Sequence, residues 1–231
     1  MAKKKNEVAS KYVKSSDFFV EESIKTLRTN IGFCGEDIKV ISITSTFPHE
    51  GKTEISAKLA ASFAETGSKT LLLDADNRSS VLAGRLGITK KPIGLSHLLS
   101  GKEKDFHQAV TKTEIANFHV LFSGPPAPNP TELLNSPKFE ALIKSLRAEY
   151  EYVIIDCPPL GLVIDAAIIS KHCDGALFVI AQNQIKRRDA KSAVDQLELS
   201  GVKILGAVLN KVQQKQQPYS HYNNYGGYGE K

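Results

Sequence analysis

The sequence predicts a doubly wound α/β domain with a mainly parallel sheet, and three observations lead to this fold class. Short apolar, β-branched segments alternate with segments of helical periodicity along most of the 231 residues. Several of the apolar segments have no polar interruption, as expected for strands that are covered on both faces. Three of them end in polar sequences, at Asp74, at Asp156 and before Gly51–Thr53. Right-handed crossovers between parallel strands bring such ends to one edge of the sheet.

Length and composition fit one globular domain. The chain is 41% hydrophobic and 24% charged, which suits a single sizeable core. We expect a cytosolic protein, because no uncharged apolar run approaches the roughly 20 residues of a membrane-spanning helix. Cys34, Cys157 and Cys173 are odd in number and widely spaced, which favours reduced thiols. The net charge of +5 suits an anionic partner, but part of the excess lies in Lys3–Lys5, and we interpret it as a solvated basic tail.

The elements follow in chain order from periodicity and from helix-breaking residues. An amphipathic helix is expected over 17–30, with Asp17 as its N-cap and Gly32 as its stop. A strand over 38–44 precedes a helix over 51–65 that ends at Gly67. The later predictions are strands over 69–73, 118–122, 152–155, 175–181 and 204–210, and helices over 95–99, from 133, over 138–150, over 164–171 and over 188–200.

The two ends of the chain differ in composition from the domain between them. Residues 1–16 are basic and lack an apolar period, so we expect a flexible N-terminal tail. The domain is expected over 17–212. Residues 213–231 are polar and rich in glycine, and we expect them to form a second flexible tail. This tail carries four tyrosines at intervals of three, Tyr219, Tyr222, Tyr225 and Tyr228.

The segment 46–53, TFPHEGKT, fits the phosphate-binding pattern GxxxxGK[ST], with Thr46 at the first glycine position. Such a loop needs backbone N–H groups turned inward, a lysine for the β- and γ-phosphates and a hydroxyl for magnesium. Lys52 and Thr53 meet the last two needs, and Glu50 and Gly51 are expected beside the phosphates. The domain is therefore predicted to be of the P-loop NTPase type.

Three acidic residues are expected around this loop. Asp156 is placed to hold magnesium through its water shell together with Thr53, although a strand-end turn cap is an alternative. Asp74 and Asp76 lie two apart on an extended segment, so both should lean to the same face. One would accept a hydroxyl proton and the other would fix the metal shell, with Asp74 favoured as the base because it lies nearer the strand end. Structural turn acids are the alternative.

Two further polar residues have open interpretations. Arg78 would either neutralise phosphate charge or pair with Asp76, and the sequence favours neither. Asn210 ends the last predicted strand, where an amide could both donate to and accept from the edge of an adenine. A simple strand-end turn at Asn210 explains the sequence equally well.

With these motifs in place, the chain resembles the bacterial tyrosine kinase (BY-kinase) family, of the cytoplasmic type that serves capsule or exopolysaccharide synthesis. The matching segments are GKT, LLLDADNR, VIIDCPP, the PNPTELLNS loop over 128–136 and the tyrosine tail, and the resemblance covers 17–231. It implies transfer of the γ-phosphoryl group of ATP, with Mg²⁺, to the tail tyrosines, in trans between the subunits of a ring.

The resemblance also implies partners. A transmembrane activator would supply a cytoplasmic tail that completes the nucleotide site and would recruit the protein to the inner face of the membrane. A cognate tyrosine phosphatase is expected, and a nucleic-acid partner is not. Glu22, Lys25 and Arg28 resemble the family's ExxRxxR oligomerisation motif, with lysine at the usual arginine position. A solvated intrahelical Glu–Lys pair is the alternative.

Two departures from the family pattern concern the phosphate loop. Thr46 stands where Ala or Gly is common, and His49 stands where Gly is usual. A His at a position that favours positive φ either tolerates the loop conformation with strain or reshapes it, so weak unaided nucleotide binding is expected. A partitioning-type ATPase is a rival interpretation, but its signature lysine is replaced by Phe47. A nucleotide-binding scaffold without kinase activity is a second rival.

Overall fold

The structure, a computed structural model, describes residues 12–13, 17–88 and 92–213. The tyrosines of the predicted C-terminal tail and residues 1–11 lie outside the described residues. The helices are α1 Phe18–Phe33, α2 Lys52–Glu65, α3 Leu82–Arg85, α4 Leu95–Ser100, α5 Phe106–Ala109, α6 Pro130–Leu134, α7 Pro137–Glu149, α8 Asp165–Ser170 and α9 Arg187–Glu198. The strands are β1 Val40–Ser45, β2 Thr70–Asp74, β3 Val110–Lys112, β4 Phe118–Leu121, β5 Tyr152–Asp156, β6 Gly175–Ala181 and β7 Ile204–Asn210.

The described strands form one seven-stranded sheet in the order β3-β4-β2-β5-β1-β6-β7. Every pairing is parallel except that of β3 with β4, which is antiparallel. The predicted mainly parallel, doubly wound fold is therefore confirmed. The helix α3, the helix α5 and the edge strand β3 were not expected, because each is too short to show a period in the sequence.

Apolar side chains cover both faces of the central strands. One buried cluster lies between the sheet and α7, α8 and α9, and a second lies between the sheet, α1 and α2. Nearly all of α2 is buried, because α1 covers its outer side. Arg28 strengthens this packing, since its Nη1 donates to the carbonyl of Ser62 on α2 at 2.6 Å.

The first helix begins as predicted and ends later than predicted. The Asp17 carboxylate accepts from the Phe19 N–H at 2.9 Å, which confirms the N-cap. Gly32, the predicted stop, lies inside α1, which continues to Phe33. The break comes at Gly35, whose φ of +137° is a conformation that favours glycine over other residues.

In the oligomerisation-like motif on α1, the side chains of Glu22, Lys25 and Arg28 all have partners within the same chain. Lys25 pairs with Glu22 within the helix at 2.7 Å, which is the intrahelical alternative. Arg28 is turned towards α2. In this chain, therefore, the Glu22 and Lys25 side chains neutralise each other on an exposed surface, where such a pair contributes little to stability.

Residues 12–13, assigned from sequence to the N-terminal tail, lie against the domain. Val13 is buried in the cluster beside α1. The Tyr12 hydroxyl accepts from Arg85 Nη1 at 2.7 Å.

The three cysteines are free, as expected. Across the described ranges, no helix is both long and apolar enough to cross a membrane.

Candidate functional site

A cavity of about 420 Å³ opens at the carboxyl ends of the adjacent strands β2, β5 and β1. This is the edge at which open α/β sheets bind ligands. Four segments line the cavity, namely the phosphate loop, the turn after β2, the segment after β5 and, through Arg85, the helix α3. The lining includes Lys52, Thr53, Asp76, Arg78 and Leu162.

The phosphate loop runs from the end of β1 into α2. Gly51 is the N-cap of α2 with a φ of +96°, so the sequence meets this conformation with glycine. A Cβ at Gly51 would also lie only 2.1 Å from Asn210 Nδ2, which leaves no room for a side chain. Lys52 opens the helix, and its ammonium group lies at the cavity. The site therefore combines a helix N-terminus with a lysine, which suits phosphate.

The structure places both residues of the loop that depart from the family pattern. His49 adopts the left-handed conformation, with a φ of +65°. Thr46 is buried, and its Oγ1 has no hydrogen-bond partner among the described residues. Its carbonyl accepts from the Gly161 N–H at 2.9 Å, which joins the loop to the segment after β5.

Glu50 is turned into the protein and only 1% of it is exposed. Its carboxylate accepts from the Phe47 N–H at 2.6 Å and from the Ala181 N–H at 3.1 Å. The Glu50 side chain thus braces the loop against the end of β6. Any contact of Glu50 with a nucleotide would have to come from its backbone N–H.

The end of β7 also holds the loop. Asn210 Nδ2 donates to the Glu50 carbonyl at 2.9 Å, and Lys211 Nζ donates to the His49 carbonyl at 2.6 Å. Asn210 is not among the residues that line the cavity. Its amide supports the loop in this structure, and a contact of Asn210 with adenine stays a prediction. Sequence reasoning missed Lys211, because no local pattern links it to His49, 162 residues earlier.

Asp74 lies behind the cavity wall and is 1% exposed. Its carboxylate accepts from the Ser80 hydroxyl, from the Asp76 N–H at 3.2 Å and from the Ser123 N–H at 3.4 Å. Burial, followed by the neighbouring Asp156 carboxylate, raises the pKa of Asp74 to about 7. Asp74 can therefore hold a proton near neutral pH.

Asp76 is the carboxylate that reaches the cavity. One of its oxygens accepts from the Arg78 N–H at 3.2 Å and from the Ser79 N–H at 2.9 Å. The other lies 3.7 Å from Lys52 Nζ. The predicted meeting of the phosphate loop with the acidic segment after β2 is confirmed by this ion pair.

Asp156 ends β5 beside Asp74, with which it is in register on β2. It is buried and accepts from the Ser56 hydroxyl at 3.4 Å. Burial raises the pKa of Asp156, while the Lys52 ammonium and a hydrogen bond from Thr53 oppose that rise. Among the described residues no group of three or more His, Cys, Asp or Glu is arranged to hold a metal ion.

These residues nonetheless fit a magnesium ion of the P-loop kind. Such an ion takes few protein ligands and keeps several waters beside the phosphates. The Thr53 hydroxyl lies at the start of α2, and Asp76 and Asp156 lie within the same group of charges. The donor set of one hydroxyl and two carboxylates is the oxygen-only chemistry that Mg²⁺ prefers.

The Arg78 side chain pairs with Asp165 and not with Asp76, while a contact of Arg78 with phosphate stays a prediction. Its guanidinium donates to both oxygens of the buried Asp165, with distances of 2.7 and 3.2 Å, and to Thr131 Oγ1 at 2.9 Å. Thr131 Oγ1 in turn donates to Asp165 at 2.7 Å. Asp165 was missed by sequence reasoning, whereas Thr131 lies in the 128–136 segment that carried the family resemblance.

Comparison with known proteins gives consistent matches. Residues 38–218 match the family model described as an AAA domain. The chain is 44% identical over 211 residues to the tyrosine-protein kinase CpsD of Streptococcus pneumoniae, which covers 91% of this chain and 92% of that protein. The kinase domain of the Escherichia coli tyrosine kinase ETK is 31% identical, with a TM-score of 0.80 over 87% of this chain and 79% of that one.

A solved structure from the rival class is less similar. The septum site-determining protein MinD from Pyrococcus horikoshii, complexed with Mg-ADP, is 28% identical with a TM-score of 0.66. The alignment covers 78% of this chain and 72% of that one. The P-loop fold is thus shared with MinD, while the identity and coverage are greater for the kinases. By its sequence and its structure, the chain belongs to the bacterial tyrosine kinase family.

Proposed function

We propose that the protein is an ATP-dependent tyrosine autokinase that phosphorylates its own C-terminal tyrosines in trans between subunits, and thereby regulates capsular or exopolysaccharide synthesis and export. The acceptors would be Tyr219, Tyr222, Tyr225 and Tyr228. One observation carries the proposal, the meeting of Lys52 and Asp76 across a single cavity at the N-terminus of α2. A phosphate-binding lysine and a proton acceptor within reach of each other are what transfer to a hydroxyl requires.

The phosphates of ATP would lie along the loop. Backbone N–H groups at Glu50 and Gly51 and the Lys52 ammonium would contact them, and the dipole of α2 would favour their charge. Lys52 would then exchange its ion pair with Asp76 for contact with the β- and γ-phosphates. Mg²⁺ would be held by the Thr53 hydroxyl and, through water, by Asp76 and Asp156. When bound, the ion supplies neutralisation of the charge on the phosphate oxygens.

We favour Asp76 over Asp74 as the acceptor of the phenol proton, which reverses the preference expected from sequence. Asp76 lines the cavity, whereas Asp74 is buried behind it and already accepts three donors. Two backbone N–H groups fix one Asp76 oxygen, and the other, which pairs with Lys52 in this structure, would face the incoming hydroxyl once Lys52 contacts phosphate. The proton would pass from the tyrosine Oη to that oxygen as the phosphoryl group transfers.

The outer lip of the cavity supports a peptide-binding role. Leu162 is 60% exposed and Val81 is also exposed, and both line the cavity together with Pro158 and Pro159. An apolar lip beside a charged floor suits a tyrosine side chain, whose ring is apolar and whose hydroxyl is polar. The same lip suits the cytoplasmic tail of a transmembrane activator, which would complete the site and recruit the protein to the inner face of the membrane.

The proposal includes a cycle. Copies of the chain would assemble as a ring in which the tail of one subunit reaches the cavity of the next, and a cognate tyrosine phosphatase would reset the tails. No nucleic-acid partner is proposed. Each phosphate adds roughly −1.5 to −2 charges to a tail, which would oppose packing beside another modified tail.

The rival functions make different demands on the same residues. A partitioning-type ATPase would carry a lysine where Phe47 stands, and the Phe47 backbone N–H is used here to hold Glu50. A scaffold without kinase activity would not require the ion pair between Lys52 and Asp76. Both rivals predict nucleotide binding without modification of tyrosine.

The test is incubation of the full chain with γ-labelled ATP, Mg²⁺ and a peptide from the candidate activator's cytoplasmic tail. We expect label on the C-terminal tyrosines of the wild type, none on a Lys52→Met variant and none on a chain with four Tyr→Phe changes. Release of phosphate without labelling of protein would favour the ATPase, and label that persists in the four-fold Tyr→Phe chain would exclude the proposed acceptors.

A further inference from the structure

Two neighbouring residues at the end of β7 donate hydrogen bonds to two consecutive carbonyls of the phosphate loop. Lys211 Nζ lies 2.6 Å from the His49 carbonyl oxygen, and Asn210 Nδ2 lies 2.9 Å from that of Glu50. We infer that Asn210 and Lys211 are positioning residues that set the orientation of the loop peptides facing the phosphates, with Lys211 acting through the peptide between His49 and Glu50.

The geometry of the peptide unit gives the mechanism. In a planar trans peptide the carbonyl oxygen and the amide hydrogen point in opposite directions. The His49 carbonyl shares its peptide with the Glu50 N–H, and the Glu50 carbonyl shares its peptide with the Gly51 N–H. Holding both carbonyls on the β7 side therefore turns both N–H groups away from β7. His49 and Gly51 line the cavity, so these peptides lie at its wall.

The positive charge of Lys211 has an effect beyond orienting the peptide. A hydrogen bond from an ammonium group is stronger than one between neutral groups. It also polarises the peptide that accepts it, which strengthens the N–H on the opposite side as a donor. We therefore expect the Glu50 N–H to be a stronger hydrogen-bond donor to phosphate when the Lys211 ammonium is present than when it is absent.

The backbone at this contact requires support. His49 has a φ of +65° and Lys211 has a φ of +56°, and neither is glycine. Such conformations persist where surrounding contacts hold them. The end of β7 is itself tied to the segment after β6, because the Asn210 carbonyl accepts from the Gln182 N–H and the Gln182 side chain accepts from the Gln213 N–H, both at 2.9 Å.

The same bonds explain why a substitution at Lys211 should change binding more than stability. Lys211 is exposed, and its contacts within the described residues are to His49 and, at 3.5 Å, to Gln184. Removing the ammonium leaves little buried surface unfilled. It does free the His49 carbonyl, which lets the peptide that carries the Glu50 N–H rotate before the nucleotide arrives.

The sequence offers a matched control next to the other end of β7. Lys203 precedes the other end of β7, is exposed and donates from Nζ to the Cys34 carbonyl at 2.8 Å. It has the same side chain and the same type of acceptor as Lys211 but no contact with the phosphate loop. A Lys203→Met change therefore reproduces every effect of losing such a bond except that on the loop.

The experiment measures the affinity of the full chain for Mg-ADP by calorimetric titration, together with the thermal stability of the nucleotide-free protein. We expect Lys211→Met to weaken binding by about fivefold to tenfold, which is within the range for the net contribution of one ordinary hydrogen bond. Lys203→Met should stay within about twofold of wild type, and Lys211→Arg should recover most of the loss. The melting temperatures of the two Met variants should agree closely.

A second readout uses the reaction and so rests on the proposed function. With labelled ATP, Lys211→Met should raise KM by a similar factor while kcat at saturating Mg-ATP stays within about twofold. Unchanged Mg-ADP affinity in Lys211→Met, or an equal loss in Lys203→Met, would overturn the inference. A wild type that binds Mg-ADP but labels no tyrosine would defeat the proposed function alone, since the affinity comparison would still stand.

Discussion

The phosphate loop, residues 46–53, and the acidic turn, residues 74–78, face each other across one cavity but are held mainly by different means. Three carbonyls of the loop backbone accept from Gly161, Asn210 and Lys211, and the Glu50 side chain adds one brace. The turn is fixed through side chains, by the Asp74 carboxylate on one side and by the bidentate pair of Arg78 with Asp165 on the other.

From this difference we infer that the loop and the turn have different functions in the reaction. Backbone N–H groups held from behind can bind phosphate whichever group is transferred, so the loop should determine nucleotide affinity. Carboxylates held by side-chain contacts present charge to the reacting atoms, so the turn should determine the rate of transfer. Substitutions that remove support from one region should therefore leave the other function largely intact.

The largest effect is expected for a substitution that disturbs the loop and the turn together. Lys52→Met removes the ammonium that the two regions share, and we expect phosphoryl transfer to fall by at least about 100-fold with weakened nucleotide binding. Labelling and Mg-ADP titration would measure the two effects. Lys58→Met is the control, because Lys58 lies further along α2 and pairs with Glu54.

A change at Asp76 should separate the regions. We expect Asp76→Asn to lower the labelling rate by about 100-fold, since it removes the proposed proton acceptor, while Mg-ADP affinity falls much less. Asp156→Asn should also lower the rate, but raising the magnesium concentration should partly restore it, as for a group in the metal shell. Recovery of Asp76→Asn with magnesium, to the same degree, would instead assign Asp76 to the metal alone.

Support of the turn is tested at Asp165. Asp165→Asn leaves Arg78 without its charged partner, so we expect unfolding free energy to fall by about 2 kcal/mol and labelling to slow by about tenfold. Mg-ADP affinity should stay within about twofold. Glu140→Gln breaks an exposed pair with Lys144 and should cost less than about 0.5 kcal/mol. An Asp165→Asn variant that mainly lost nucleotide affinity would contradict the division of work.

The raised pKa of Asp74 makes a prediction about pH. Because the folded-state pKa of about 7 lies above the ordinary value of 3.8, the folded protein binds more protons than the unfolded chain between these values. This group therefore lowers stability as the pH rises from about 4 to 7. Without nucleotide or magnesium, Asp74→Asn should be more stable than wild type at pH 8 by about 1 to 3 kcal/mol.

Denaturant unfolding at several pH values would measure the effect of Asp74→Asn. The advantage of the variant should shrink towards pH 5, because Asp74 is protonated there in the folded wild type. Glu36→Gln, an exposed change away from the site, is the control. A difference that grows as the pH falls would have the wrong sign for a carboxyl group whose pKa is raised by burial.

The smallest expected effect concerns the strain in the loop. His49→Gly removes a side chain from a left-handed conformation but makes the unfolded chain more flexible, so we expect stability to change by no more than about 0.5 kcal/mol. Mg-ADP affinity should improve by up to about threefold. Asn117→Gly, at another residue with positive φ, should leave the affinity unchanged.

The strand ends that form the cavity could be predicted from sequence because each has a local signature. Buried strands give apolar runs, and the polar residues that follow them mark the carboxyl edge, so Lys52, Asp76 and Asp156 were expected to meet. Gly32 and Gly35 show the limit of such signals. Both glycines can end a helix, but the one that does so is the one whose backbone takes a positive φ.

The supports of the site could not be predicted, because they join residues that are far apart in the chain. Arg78 and Asp165 are separated by 87 residues and Lys211 and His49 by 162. Nor does the sequence indicate that Glu50 turns inward to accept two backbone N–H groups. The residue type beside a phosphate-binding motif does not reveal whether its side chain contacts the ligand or supports the loop.

The most direct test of transfer between subunits mixes two chains that are each unable to label themselves. One is Lys52→Met with its tyrosine tail intact, and the other has an intact cavity and four Tyr→Phe changes. With γ-labelled ATP, Mg²⁺ and the activator peptide, we predict label on the tail of the Lys52→Met chain, because the cavity of one subunit serves the tail of another. If wild type labels itself under these conditions but the mixture stays unlabelled, transfer between subunits is contradicted.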